Sequence, residues 1–243
     1  MQIQSNRAFT PVQQANSRPS ANQGTVDHCA DPNWREWSEG LNALSTGWQN
    51  FGGLDPNQHT RVAVLDDFNS AHGFEMESAL NRNGADTLRL NVNRQGQSRT
   101  AGIAASLEEV AARLDRGEDI DAVSLSQQDF QGSPESGRIG QLISYIQQRH
   151  GVPVVVAAGN GGNGSNNTLA QGAALVAENA TPGTDVRSPN SSAGNILQEA
   201  NTTSLATALV AARAGQLRNS GVGLAFIVAG LRQQAAREGG ALN

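Results

Sequence analysis

The chain has 243 residues, a formal net charge of -5 and 17 basic residues, every one of them arginine. The acidic balance excludes broad electrostatic binding of nucleic acid, and the single Cys29 excludes an internal disulfide framework or a cysteine-cluster zinc site. No apolar run approaches the ~18 residues of a membrane span, and the N-terminus lacks the apolar heart of a signal peptide. With 37% hydrophobic residues and 27 glycines, the length predicts one modest, turn-rich domain plus an appendage.

In chain order, residues 1–30 are rich in Gln, Asn, Ser and Pro and read as a disordered polar arm. Trp34, Trp37, Leu41, Leu44 and Trp48 then form an apolar helical stripe, so residues 31–60 read as a tryptophan-bearing helix and linker. Asp31-Pro32 supplies its start, an N-cap acceptor followed by proline. That stripe fits docking on the main domain, with a partner-binding or pro-segment helix as the alternative. The domain itself occupies 61–243. Val62-Ala-Val-Leu65 reads as a buried parallel strand, 73–82 as a helix, and Thr87 to Val92 as a second strand. Ile103, Leu107, Val110, Ala111 and Leu114 mark the next helix, and Asp121 to Ser126 a third strand. Ile139, Leu142, Ile143 and Ile146 mark another helix, Val152 to Ala158 a fourth strand, and 173–177 one more. Helices over about 204–218 and 222–237 finish the chain. This alternation predicts an α/β fold, a parallel sheet with helices on both faces. In such sheets functional groups collect at the carboxyl ends of the strands.

Four side chains fall at those ends: Asp66 after the first strand, His72 at a helix start, Asn160 after the fourth strand, and Ser204 opening a helix. Acyl transfer by serine needs such a set. The hydroxyl is a poor nucleophile until an imidazole takes its proton, and a carboxylate fixes the imidazole tautomer. The oxyanion needs donors held in advance, such as a side-chain amide and an N–H at a helix start. Each residue also has a plain structural reading. Asp66 could be a turn or cap residue with Asp67 as its rival for the acid, His72 a loop residue, Asn160 a turn residue and Ser204 a helix cap. Glu75 and Glu77 read as first-turn acids close to His72.

The motifs around these residues resemble those of the subtilisin-like serine proteases. Val62-Ala-Val-Leu-Asp66 is similar to the family's strand ending in the catalytic Asp, and His72-Gly73 to the start of its histidine motif. Gly151-Val-Pro-Val-Val-Val-Ala-Ala-Gly-Asn160 resembles the oxyanion-hole strand. Thr203-Ser-Leu-Ala-Thr207 resembles the nucleophile signature, and Thr181-Pro-Gly183 the turn before it. The resemblance implies a subtilisin-like three-layer fold, a triad of Asp66, His72 and Ser204, and an oxyanion hole from Asn160 and the Ser204 N–H. It also implies a protein or peptide substrate paired in extended form along Ser124-Leu125-Ser126 and Ala157-Ala158-Gly159, with no metal or organic cofactor. The chain departs from the pattern in several places, among them Asp67-Phe68 where a glycine is usual and Ala208 where a proline usually follows Thr207. Only five residues stand between Asp66 and His72, the second histidine of the His motif is missing, and Thr202 replaces the glycine before Thr203. These departures keep open a degenerate subtilase-fold module that binds protein without cleaving it.

Other signals are weaker. Gly159-Asn-Gly-Gly-Asn-Gly164 matches a dinucleotide fingerprint, but follows the fourth strand rather than the first. Cys29 beside His28 lies in the polar arm, where nothing would activate a thiol, and His59 and His150 read as surface or loop residues. The polar N-terminus resembles those of effectors injected into host cells by bacterial secretion machines, and a lysine-free chain escapes ubiquitin attachment. That resemblance implies secretion without a cleavable signal peptide and a secretion chaperone or host protein as partner. A GC-rich genome, which favours Arg over Lys, with a cytoplasmic protein is the competing explanation.

Overall fold

A computed structural model describes residues 59–162, 165–180, 187–188 and 190–237. The polar arm, the tryptophan helix, Cys29 and the Thr181-Pro-Gly183 turn lie outside the described residues. Six strands and five helices follow one another: β1 (Thr60–Asp66), α1 (Ala71–Arg82), β2 (Ala85–Asn91), α2 (Arg99–Asp115), β3 (Ala122–Leu125), α3 (Ser136–His150), β4 (Val154–Ala157), β5 (Leu175–Ala180), β6 (Ile196–Glu199), α4 (Thr203–Asn219) and α5 (Leu224–Arg237). A short 3-10 turn, Thr168–Ala170, stands before β5. The strands form one sheet in the order β2-β1-β3-β4-β5-β6, with every ladder parallel.

The central strands β1, β3 and β4 carry apolar runs because both faces are covered. Val62 and Val64 face a core shared with α1, α4 and α5, while Ala63 and Leu65 face a second core under α2 and α3. The same alternation divides Ala122 and Val155 from Val123, Val154 and Val156. This is the period-2 geometry of strands applied to a sheet buried on both sides. α4 runs across the middle of the first face, with twelve of its 17 residues buried, mostly alanine, valine and other small side chains. Such a helix needs small residues to approach the sheet. A Cβ on Gly215 would already stand 2.8 Å from Thr60.

Several expectations need correction. α1 begins at Ala71 rather than 73, so His72 sits within its first turn and neither Glu75 nor Glu77 is a first-turn acid. Glu77 instead pairs with Arg89 of β2 at 2.6 Å and accepts from Thr87 at 2.7 Å. β6 is a strand the hydrophobic pattern does not reveal. The dinucleotide reading fails because β4 leads into a loop and the three-residue turn, with no helix whose N-terminus could face a pyrophosphate.

Candidate active site

β1 and α1 are joined by a tight turn in which Ser70 N–H and Oγ–H both donate to the Asp67 carbonyl, at 3.2 and 2.9 Å. The helix can return so closely because residue 73 is glycine. A Cβ there would meet the Asp67 carbonyl oxygen at 2.9 Å and the Phe68 ring at 3.0 Å. The short link therefore does not separate Asp66 from His72. It brings His72 Nδ1 to 2.8 Å from Asp66 Oδ1. Asp66 is fully buried, whereas the His72 side chain is 39% exposed.

Asp67, the rival acid, points elsewhere. It accepts from Asn69 N–H at 3.0 Å and Asn93 Nδ2 at 3.0 Å, and lies 3.8 Å from the Arg99 guanidinium. Asp66 Oδ1 accepts two further bonds, from Asp67 N–H at 2.7 Å and from Gln127 Nε2 at 2.8 Å. Its Oδ2 is buried with no hydrogen-bond partner among the described residues.

The hydrogen bond to Asp66 raises the His72 pKa above its ordinary value. Burial opposes this, the charges of Asp66 and Glu75 add to it, and Arg99 subtracts. A carboxylate partner favours the imidazolium, while desolvation favours the neutral ring.

On the other side, α4 is capped by Thr202, whose Oγ1 accepts from Leu205 N–H at 3.1 Å. Thr202 therefore fills the cap position, and the helix-cap reading of Ser204 falls away. Ser204 lies in the first turn with its N–H making no hydrogen bond among the described residues. Its carbonyl accepts from Ser126 Oγ at 3.2 Å, which ties the helix start to the end of β3. Asn160 is held by the same helix start. Its Oδ1 accepts from Thr203 Oγ1 at 3.0 Å and Thr203 N–H at 3.3 Å. Both atoms can donate there, so the amide must turn its oxygen to them and leave Nδ2 free to donate. The Asn160 backbone N–H donates to Gln128 Oε1 at 2.7 Å.

These groups line one cavity of about 290 Å³, whose walls include His72, Arg99, Ser126, Gln127, Asn160 and Ser204. The Ser204 hydroxyl and the imidazole share it without a hydrogen bond between them among the described residues. Of the residues expected to pair with substrate, Ser126 and Ala157 line the cavity. Ala158 and Gly159 are buried behind it, with Ala158 N–H donating to Ala177 O and Gly159 O accepting from Ser192 N–H. Ser124 and Leu125 are a correction. Both are fully buried in β3 and laddered to β1 and to β4, so they have no free edge for an added strand. Gln127 and Gln128, which the sequence reading passed over, are the polar residues that follow β3 directly into the cavity. Among the described residues no three His, Cys, Asp or Glu side chains cluster to ligate a metal.

No family model and no curated protein matches the sequence. Solved structures do match. A lanthipeptide protease is similar at 11% identity over 84% of this chain and 88% of its own, with a TM-score of 0.59. The prenylagaramide maturation protease PagA is similar at 17% identity over 71% of this chain and 78% of its own, TM-score 0.52. The self-cleaved protease domain of PatA is similar at 18% identity over 75% of this chain and 97% of its own, TM-score 0.51. The likeness is one of fold: the chain carries the architecture of subtilisin-like proteases.

Proposed function

We propose that this chain is a serine endopeptidase in which Ser204 is the nucleophile, His72 the general base and then general acid, and Asp66 the group that orients the imidazole. The observation that carries the reading is the 2.8 Å bond from His72 Nδ1 to buried Asp66 on a cavity also lined by Ser204 and Asn160. With Nδ1–H bound to the carboxylate, Nε2 is the basic nitrogen. It takes the Ser204 hydroxyl proton as Oγ attacks the peptide carbonyl. The oxyanion that forms accepts from Asn160 Nδ2 and the Ser204 N–H, both without other acceptors among the described residues. Collapse expels the amine, protonated by His72, and water then hydrolyses the acyl-enzyme by the same steps in reverse order.

The Ser204–His72 hydrogen bond is the part that substrate or a serine rotamer must complete, and catalytic bonds are commonly loose before substrate arrives. The test is reaction with a fluorophosphonate probe. Wild type is expected to be labelled and Ser204→Ala not, and labelling that survives in Ser204→Ala overturns the nucleophile assignment. The missing hydrogen bond is also what favours the second reading, a binding module of the same fold. A wild-type chain inert to the probe that still retains a peptide bound with Ser204→Ala affinity supports that module.

The substrate on this reading is a peptide in extended form, laid along the cavity walls at Ser126, Gln127, Gln128, Ala157 and Asn160. The relatives of like fold include maturation proteases and a lanthipeptide protease, which makes a precursor peptide a reasonable first substrate to assay. The polar N-terminal segment and the lysine-free composition support delivery of the chain as a secreted effector, with a secretion chaperone or host protein as partner. A reporter fused to residues 1–60 and assayed for translocation tests this separately.

A further inference from the structure

Among the described residues Asp66 has no charged partner apart from the imidazole, yet its Oδ1 receives three donors from three places in the chain. One is the adjoining Asp67 N–H, one is His72 on α1, and the third is Gln127, 61 positions further on at the end of β3. The first two belong to one local turn and would let the carboxylate pivot with that turn. The third comes from a different strand. Gln127 is itself held from both ends. Its carbonyl accepts from Asn167 Nδ2 at 2.9 Å, and the same Nδ2 reaches the Ala157 carbonyl at 2.7 Å, so the residue is fixed to the ends of β3 and β4 together. Its side-chain Oε1 accepts from Arg99 Nη1 at 3.3 Å.

That last contact decides the amide's orientation. A guanidinium can only donate, so it requires the amide oxygen, and the NH2 group is thereby turned toward the carboxylate. A flipped amide would set donor against donor at Arg99 and acceptor against acceptor at Asp66. We infer that Gln127 is a positioning residue of the acid–base pair: its amide, aimed by Arg99, holds Asp66 Oδ1 in line with His72 Nδ1. This rests on the reading in which that pair serves Ser204, but the position of Gln127 can be tested without any reaction.

A donor on Asp66 stabilises its negative charge and weakens its pull on the imidazolium, so loss of that donor strengthens the pull. The charged groups around His72 are Asp66 and Asp67 from the end of β1, Glu75 from its own helix and Arg99 from α2. Glu77 is occupied by Arg89, and Ser126, Gln127 and Ser204 contribute no charge from β3 and α4. Removing the Gln127 amide takes the donor from Asp66 and leaves the carboxylates in place, while Arg99 loses one acceptor and keeps Asp67 at 3.8 Å.

The experiment follows the imidazole nitrogens of the full chain by NMR through a pH titration, with the His72 signal among the four histidines assigned from a His72→Asn variant. Gln127→Met keeps length and bulk and removes the donor. Gln127→Asn keeps the polarity and loses the reach, and it decides the matter if the methionine variant does not fold. Each is expected to move the His72 titration midpoint by about half a pH unit or more, upward where Asp66 keeps its place and loses only the donor, downward where the carboxylate swings out of line with Nδ1. A folded variant whose His72 midpoint stays within about 0.2 units of wild type overturns the inference, because a residue that only supports the fold would change stability and not this titration. Labelling of Ser204 by the fluorophosphonate is measured alongside. An inert wild type removes the protease reading and leaves the His72 titration to judge Gln127 by itself.

Discussion

Gly102 in the first turn of α2 offers the sharpest test of how the fold supports the site. A Cβ at this position would stand 1.9 Å from the Val92 carbonyl oxygen and 2.9 Å from its carbonyl carbon. Real Cβ atoms essentially never come closer than 3.0 Å, so Gly102→Ala carries a shortfall of about 1.1 Å against backbone, with no side chain able to swing away. Overpacking of this kind costs about 3 kcal/mol, and the better helix propensity of alanine returns about 1 kcal/mol. The net loss of about 2 kcal/mol predicts a fall in Tm of about 4–8 °C for a domain of this size. The displaced residue also matters to the site, because Val92 N–H donates to the Asp66 carbonyl at 2.9 Å. Thermal unfolding followed by circular dichroism reads the first effect, and the rate of fluorophosphonate labelling reads the second. Gly137 is the control. It lies in the first turn of α3 with nothing within 4 Å of a built Cβ, so Gly137→Ala is expected to stabilise by up to about 1 kcal/mol. A Gly102→Ala protein as stable as Gly137→Ala would refute the close-approach argument.

Five further outcomes follow from the site. On the proposed mechanism His72 acts as the neutral ring, and since its pKa is raised the acid limb of kcat/KM should centre above the ordinary histidine value of 6.5. Glu75→Gln removes one of the charges that raise it and should move that limb to lower pH, by a few tenths of a unit at this exposed position, roughly. The same raised pKa means the Asp66–His72 pair contributes stability that is fully present below pH 6.5 and is lost as pH rises through the folded value. The Tm difference between wild type and His72→Asn should therefore shrink in alkali. Asn160→Ala should lower kcat by about 10²–10³ with KM little changed, as removal of one oxyanion donor does. Thr203→Val, which takes away the 3.0 Å bond that orients the Asn160 amide, should cost less, roughly three- to thirty-fold in kcat. An Asn160→Ala enzyme with unchanged kcat would remove Asn160 from the oxyanion hole.

Much of this was readable in the chain. β1, β3 and β4 stand out because each holds a short apolar run closed by polar residues, the signature of strands covered on both faces. Asp66, His72, Asn160 and Ser204 fall at element ends, and the structure brings them around one cavity or beneath it. The choice between Asp66 and Asp67 was not readable. Neighbouring residues on a strand point to opposite faces, and only the sheet's placement says which face meets α1. β6 escaped because Ile196–Glu199 has no alternation and takes its strand form from the ladder with β5. Gln127 escaped for a related reason. A lone glutamine past a strand carries no periodic or motif signal, and its meaning comes from Asp66 and Arg99, far away in sequence. The same holds for Ser124 and Leu125, whose use as a docking edge is cancelled by partners on both sides.

The turn between β1 and α1 has a consequence for the order in which the parts come together during synthesis. Asp66 and His72 lie six positions apart and meet through a contact that closes locally. Gln127 arrives 61 positions after Asp66, and Asn160 must wait a further 43 positions beyond itself for Thr203. Local contacts close early and cheaply, whereas distant ones are delayed by the entropy of the loops they close. A chain stopped between Gln127 and Thr203 contains Asp66, His72 and the Gln127 that holds the carboxylate, yet lacks Ser204 and the Thr203 that anchors the Asn160 amide. On the proposed mechanism, the groups that would cleave a peptide are complete only once α4 has been synthesised.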